Sequence, residues 1–448
     1  MKTFVLLLLL ITGLYSDEKL SDPPLQTQPP LISKTSARNF SQSVNTNNRS
    51  EVLKFYKSNY RQPMSVKNGW TGNTKSCIAG TNSKEYTDAT LKTLNFFRAM
   101  LGVPADITFK QEFNDKALKS ALIMDANFNL SHNPPTSWKC YSEEGKQGAA
   151  NSNIAVGTSG PSAISLYMWD PGSGNYFVGH RRWIMSPSEY IMGSGSTDKG
   201  DSLWVFGEFR KEKNTKEYVS WPNSGFTLPE FGYRNNYRWS FTAHYAQVKD
   251  ANIVIKKDGK SMQVNKEKYA GGYGEGDTIV WTLPELSSKK IEKDETFYVE
   301  IQGIKKEGQT LTHKYTVTFI NPDIESANET DNKETQTEIK QLTEEEKREF
   351  IQAVYKGDNS IVTAFLEKGA DPNIKHEGWT SLMLASYYGH LEIVKTLLKF
   401  KADKEINVSG YKPVDLAIAM KHKEVVDLLG LPANSRMHRS KLPLPPKN

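Results

Sequence analysis

Apolar and polar positions change rhythm several times along the chain, and each rhythm predicts a different element. From Tyr86 to Leu101, Thr90, Leu94, Phe97 and Leu101 recur at helical spacing, with Leu91 widening the stripe. The pattern predicts a helix capped by Thr87 and stopped by Gly102 and Pro104. A second helix is predicted from about Gln111 to Asn129, buried through Phe113, Ala117, Ala121, Met124 and Phe128. A third starts near Pro161, a residue suited to the first helical position, and stops at Pro171-Gly172 after Asp170. Strand-like runs follow at Trp183-Ile184-Met185, Tyr190–Gly193 and Leu203–Phe209. Residues 71–220 therefore predict helices packed on both faces of a small sheet.

Further on, the apolar period shortens to two. Alternating or β-branched runs at 237–242, 251–255, 278–281, 296–301 and 315–320 are separated by turn signals such as Asp258-Gly259 and Gly271-Gly272-Tyr273-Gly274. They predict a small β-sandwich over 221–322. Residues 323–347 turn acidic and polar and are expected to be a linker. Then a repeat begins: Ala353, Ala385 and Ala417 recur every 32 residues, as do Val362, Val394, Val426 and Phe365, Leu397, Leu429. A period near this length predicts stacked helical pairs over 348–432. Two segments carry no such rhythm. Residues 17–70, rich in Ser, Thr, Asn, Gln and Pro, are expected to be a disordered arm, and 433–448 a basic, Pro-rich tail. The fold class expected is multidomain α+β: a helix–sheet–helix body, a β-sandwich and an all-α repeat stack.

At 448 residues the chain is too long for one domain. A net charge of +6, with no dense basic stripe, argues against a nucleic-acid partner. Met1-Lys2-Thr3, an apolar run from Phe4 to Leu14 and a polar exit read as a secretory signal peptide ending at Ser16. That run is shorter than the ~20 apolar residues a membrane helix needs. The expectation is a secreted, periplasmic or extracellular protein that is not integral to a membrane. In such a compartment the two cysteines, Cys77 and Cys140, are expected to pair as a disulfide.

Four short stretches carry a resemblance. Leu94-Asn95-Phe96-Phe97-Arg98, Ser131-His132-Asn133, Asn151-Ser152-Asn153-Ile154-Ala155 and Gly179-His180-Arg181-Arg182-Trp183 occur in this order across about a third of the chain. Together they resemble the CAP superfamily, or SCP-like extracellular domain, in its bacterial form. The resemblance implies an α-β-α sandwich over 71–220 with a cleft of two histidines and two acids that can bind a divalent metal such as zinc. Carried over by position, His132 and His180 are the histidines and Asp170 one acid. Ser152 stands where the Glu of the Gly-Glu-Asn loop belongs and supplies no charge. The expected cleft is His132, Ser152, Asp170 and His180, with His132, Asp170 and His180 as metal ligands. The competing reading is that the two imidazoles only hydrogen-bond across the cleft.

Binding without catalysis is the leading functional expectation. The alternative is an extracellular hydrolase, metal-assisted or of serine type, with His132 or His180 as base, Asp170 as orienter and Ser131 or Ser152 as nucleophile. A third reading places a lipid, sterol or glycan among the aromatics between Trp169 and Phe231, which serve equally to fill a core. The C-terminal repeats resemble ankyrin repeats at Gly378–Ala385 and Gly410–Ala417, with turns at Gly369-Ala370-Asp371 and Lys401-Ala402-Asp403. Met383 and Asp415 stand where that family prefers histidine. The resemblance implies a protein partner, with Trp379, Tyr387, Tyr388 and Tyr411 as candidate contacts. Trp379 and Tyr411 are equally suited to covering the ends of the repeat helices.

Overall fold

A computed structural model describes residues 18–34, 43–211, 216–286, 291–322 and 342–430, apart from Lys368, Lys401, Asn407, Ser409 and Gly410. The expected signal peptide, most of the linker and the basic tail lie outside the described residues. The chain divides into two units, Met1–Asp323 and Ile324–Asn448. Among the described residues, no helix is long and apolar enough to cross a membrane.

The first unit opens with β1 (Lys19–Leu20), β2 (Leu31–Ile32), α1 (Arg49–Tyr56), α2 (Lys84–Leu101), β3 (Thr108–Phe109) and α3 (Gln111–Asn127). Then follow α4 (Glu143–Ala150), β4 (Ser152–Val156), α5 (Gly160–Trp169), α6 (Gly179–Met185), β5 (Glu189–Ser196) and β6 (Gly200–Phe209). The strands form one sheet in the order β1-β4-β6-β5-β3, with β2 also on β6. Side chains on β6 alternate between two helical layers, as a pleated strand requires. Asp201 accepts from the Tyr167 hydroxyl of α5, whereas Ser202 bonds Ser120 of α3 and Trp204 stacks on Phe113 of α3. Helices therefore lie on both faces. Gly195 lets α3 come down on β5, because a Cβ there would meet the Leu118 backbone at 2.1 Å.

Several local expectations are corrected. Ser83, not Thr87, caps α2: its hydroxyl accepts from the Tyr86 amide, while Thr87 donates back to the Ser83 carbonyl. Phe128 ends α3 in a left-handed conformation and is 37 % exposed, with the Lys19 ammonium over its ring, rather than buried. Residues 151–155, expected as a polar loop, contain the start of β4, which is buried along its whole length. Trp183–Met185 is helical, not a strand. The arm expected to be disordered is structured over the described parts of 18–70. Val52, Tyr56 and Tyr60 recur at four-residue spacing and form one buried face. Tyr60 meets Phe231 at 5.0 Å and Phe96 at 5.2 Å between ring centroids. Few apolar residues suffice there because the ones present are large and share a side.

The strand-rich half holds β7 (Tyr218–Trp221), β8 (Gly225–Thr227), β9 (Trp239–Ala243), β10 (Asn252–Lys257) and β11 (Lys260–Ser261). It continues through β12 (Asn265–Lys266), β13 (Asp277–Thr282), β14 (Glu295–Lys306) and β15 (Gln309–Phe319). Two sheets result, β11-β10-β14-β15-β8 and β12-β13-β9-β7. Trp239 of one sheet meets Phe297 and Phe319 of the other at 5.7 and 5.8 Å, so the sheets share an aromatic core. The boundary expected at 220/221 falls inside β7. Phe97 of α2 contacts Trp221 and Phe231, and one apolar cluster runs from Val52 to Ile320. The sandwich is thus built onto the helical layers.

The second unit contains α7 (Glu344–Lys356), α8 (Asn359–Glu367), β16 (Lys375–His376), β17 (Trp379–Thr380), α9 (Ser381–Tyr388), α10 (Leu391–Lys399), α11 (Pro413–Met420) and α12 (Lys423–Leu429). The last acidic residues of the expected linker are the first turn of α7. Thr343 and Glu346 form a reciprocal capping box, and Glu344, Glu345 and Glu346 suit the positive helix end. Ala353, Ala385 and Ala417 are buried on the first helix of each pair, as the 32-residue period requires.

Candidate functional site

The site starts where α5 stops. Asp170 takes the left-handed C-cap position, which turns its carboxylate towards the start of α6. One oxygen accepts from the backbone amides of His180 and Arg181 at 2.9 and 3.3 Å. The other lies 2.8 Å from His180 Nδ1. Both side chains are fully buried, and the Tyr167 ring stacks on the imidazole. With Nδ1 at the carboxylate, the ring turns Nε2 away from Asp170. Asn153 closes the arrangement by donating to the His180 carbonyl at 3.2 Å.

His132 arrives from the loop after α3. Its Nδ1 lies 2.6 Å from the Ala149 carbonyl and its Nε2 lies 2.7 Å from the Asp22 carbonyl. A neutral imidazole can donate to only one of these oxygens. Burial pushes the His132 pKa down, while the two carbonyls pull it back up. Both histidines aim Nε2 at one atom: Ser21 Oγ is 3.3 Å from each. The two imidazoles thus meet in one hollow.

The three residues expected as metal ligands are not arranged around one point. Asp170 sits behind His180 at Nδ1, so His132, Asp170 and His180 do not surround a common point. A carboxylate there orients the ring instead of joining a ligand set. Among the described residues, no group of three or more His, Cys, Asp or Glu is placed to hold a metal. Ser152 is also corrected. It pairs with Trp204, which faces α3, so strand alternation turns its side chain away from His180. Its hydroxyl is buried there without a hydrogen-bond partner. Asn153, one residue on, is the β4 side chain that serves the site.

Sequence reasoning missed the element that fills the hollow. Glu18–Pro24 lies along the outer edge of β4, with Lys19 opposite Val156 and Leu20 opposite Ala155, antiparallel. The Ser21 amide reaches the Ile154 carbonyl at 3.4 Å. Pro23 and Pro24 are buried, and the Trp183 indole donates to the Pro24 carbonyl at 2.9 Å. This strap lies in a polar stretch without periodicity, and the only sequence signal for it is Leu20 ahead of Pro23-Pro24.

Neighbouring cations are held away from the imidazoles. Arg181 donates to the carbonyls of Met168, Trp169 and Arg238, and Arg182 to that of Ala270. Most aromatics between Trp169 and Phe231, including Trp183, Trp204 and Trp221, are buried core residues. Trp169 and Phe231 also line a cavity of about 320 Å³ that contains Glu18, Arg61, Glu230 and Arg234. Cys77 and Cys140 are bonded, with Cα atoms 4.9 Å apart.

In the second unit Trp379 is buried at 5 % exposure and packs edge-on against Tyr387, so it covers the repeat core instead of facing a partner. Tyr388 is exposed, while Tyr387 and Tyr411 are half-buried. Tyr355 lies 5.5 Å from Tyr388 and extends the aromatic surface on to the preceding repeat. Residues 350–437 match the family model for ankyrin repeats in three copies. The C-terminal unit therefore carries an ankyrin array, a fold that presents a protein-interaction surface. The match does not reach residues 71–220, where the CAP resemblance lies. No curated protein matches the chain.

Proposed function

We propose that the chain is an exported modular binding protein. A CAP-like body carries a closed two-histidine hollow, and the ankyrin array captures a protein partner. The observation that carries this reading is the repeat match together with the Tyr355–Tyr388 aromatic surface. Exposed aromatics in such positions are the usual energetic centres of protein interfaces. Export is supported by the Cys77–Cys140 bridge.

The hydrolase reading finds less support. Ser152 is on the wrong face of β4, and Ser131 is engaged by the Asn133 amide. Ser21, His180 and Asp170 do form a Ser-His-Asp string, but the Ser21 hydroxyl donates to the Asp22 carbonyl at 2.6 Å, its shortest contact. A nucleophile needs its proton on the base.

The test is capture from envelope extracts with the full chain as bait. Tyr388→Ala combined with Tyr355→Ala is expected to weaken partner retention by roughly tenfold or more. His132→Ala leaves it unchanged. Loss of capture with His132→Ala but not with the tyrosine pair would contradict the proposal.

A further inference from the structure

We propose that the β4 edge and the two-histidine hollow form a receptor site for an extended peptide, and that Glu18–Pro24 occupies it as an internal stand-in for that ligand. The inference deepens the binding-module reading and rests on it. The partner chemistry is a protein segment of the pattern Leu-Ser-x-Pro-Pro, running antiparallel to β4.

Three observations support it. First, β4 is an edge strand without β1, since the sheet order is β1-β4-β6-β5-β3. An unpaired edge offers a row of amides and carbonyls to any extended chain, and strand addition is a recurrent way of binding peptides. Second, the contacts beyond the ladder read a peptide. Ser21 places its hydroxyl between two imidazoles, His132 meets the Asp22 carbonyl, and Trp183 donates to the Pro24 carbonyl. Gly179 makes room for Pro23, because a Cβ there would lie 2.4 Å from the proline ring. Leu20 packs on the main core, which sets the first position of the pattern.

Third, the receptor groups are braced from behind. Asp170 fixes His180 through Nδ1, and the Ala149 carbonyl lies at His132 Nδ1, so both rings present Nε2 outward. Such support is what a recognition site needs to hold its geometry. A strap serving only to fill space would be covered by apolar side chains at lower cost than by one buried and one half-buried imidazole. The strap continues into Thr27–Pro30, which is exposed and has no regular structure. The segment can therefore be separated from the body without cutting into the fold.

The experiment uses the full chain with a specific protease sequence in place of Thr27–Pro30, cleaved after folding. The probe is a fluorescent synthetic peptide of Glu18–Gln26. The intact chain is expected not to bind it. The cleaved chain either holds its own strap through gel filtration and exchanges it for the probe, or loses the strap and takes up the probe. Both results support the site. A probe with Pro23→Ala, or a body with His132→Ala, should bind roughly tenfold more weakly. Circular dichroism confirms that the body remains folded.

The inference is overturned if the strap leaves and the probe does not bind, or if a scrambled probe binds equally well. It is likewise overturned if the opened hollow takes zinc alone. The tail sequence Lys441-Leu442-Pro443-Leu444-Pro445-Pro446 shares Lys-Leu-x-x-Pro-Pro with Lys19–Pro24 but lacks the hydroxyl. Preference for a Ser440–Asn448 peptide would replace the external partner with the chain's own tail. Capture by the repeats is read in a separate assay, so failure here leaves the modular reading standing, and failure there does not alter these outcomes.

Discussion

Two pairs of histidines do different work in the two units. His390 and His422 lie 32 residues apart, and each reaches back with Nε2 to a carbonyl of the preceding repeat, Tyr355 at 3.0 Å and Tyr387 at 2.9 Å. They are the same bond made twice, and they stitch neighbouring helical pairs. At the matching place in the first repeat, with no earlier repeat to reach, Asp358 caps α8 instead. His132 and His180 share no period. They meet at Ser21 across sequence separations of 111 and 159 residues. Repetition builds the array from local contacts, whereas the hollow depends on four distant segments arriving together.

That contrast sets the expected effects. The largest should come from removing the Cys77–Cys140 bridge, whose sequence separation is 63. The chain-entropy model puts its contribution at about 4 kcal/mol. Denaturant unfolding of the double serine variant should show the first unit destabilised and the second unmoved. Equal loss in both would break the division into independent units.

Next is Asp170→Asn, which keeps the shape but weakens the anchor on two amides and His180 Nδ1. About 2–3 kcal/mol should be lost from the first unit alone. His422→Ala should be milder, about 1 kcal/mol, confined to the second unit. A thermal transition of the repeats that ignores His422→Ala would remove the stitching role.

The smallest effect is a pH dependence of strap seating. Burial raises the Glu18 pKa from 4.5 to about 7. Its contribution is full below pH 4.5 and is lost as pH rises through 7. His132 works in the opposite sense. Its folded pKa lies below the ordinary 6.5, so its contribution is present above that value and is lost as pH falls through the lowered one. Relative to each amide's intrinsic rate at that pH, protection of 18–24 should fall as pH rises through 7, where the His132 contribution is already complete, and Glu18→Gln should remove that fall. An unchanged fall in that variant would show that another group is responsible.

The same contrast explains what was legible in the sequence. The 32-residue period located all six described repeat helices, because a stack repeats its buried positions. Helices α2, α3 and α5 were legible from one-sided apolar spacing. That His132 and His180 reach one atom, Ser21 Oγ, is not readable from their spacing along the chain. Nor are the roles within the hollow. Ser152 and Asn153 differ by one residue, and strand register alone decides which faces His180. The strap was hidden because main-chain bonds and two prolines seat it, and neither leaves an apolar pattern. Trp379 and Tyr388 show the same limit, since no periodicity told the buried ring from the exposed one.

Hydrogen–deuterium exchange of the intact full chain tests the central claim most directly, read by mass spectrometry at 18–24 and 152–156 together. The account predicts that both segments are protected, and that cleavage within Thr27–Pro30 followed by loss of the strap raises exchange in both. Exchange of 18–24 at free-peptide rates in the intact chain, with 152–156 still protected, would contradict it.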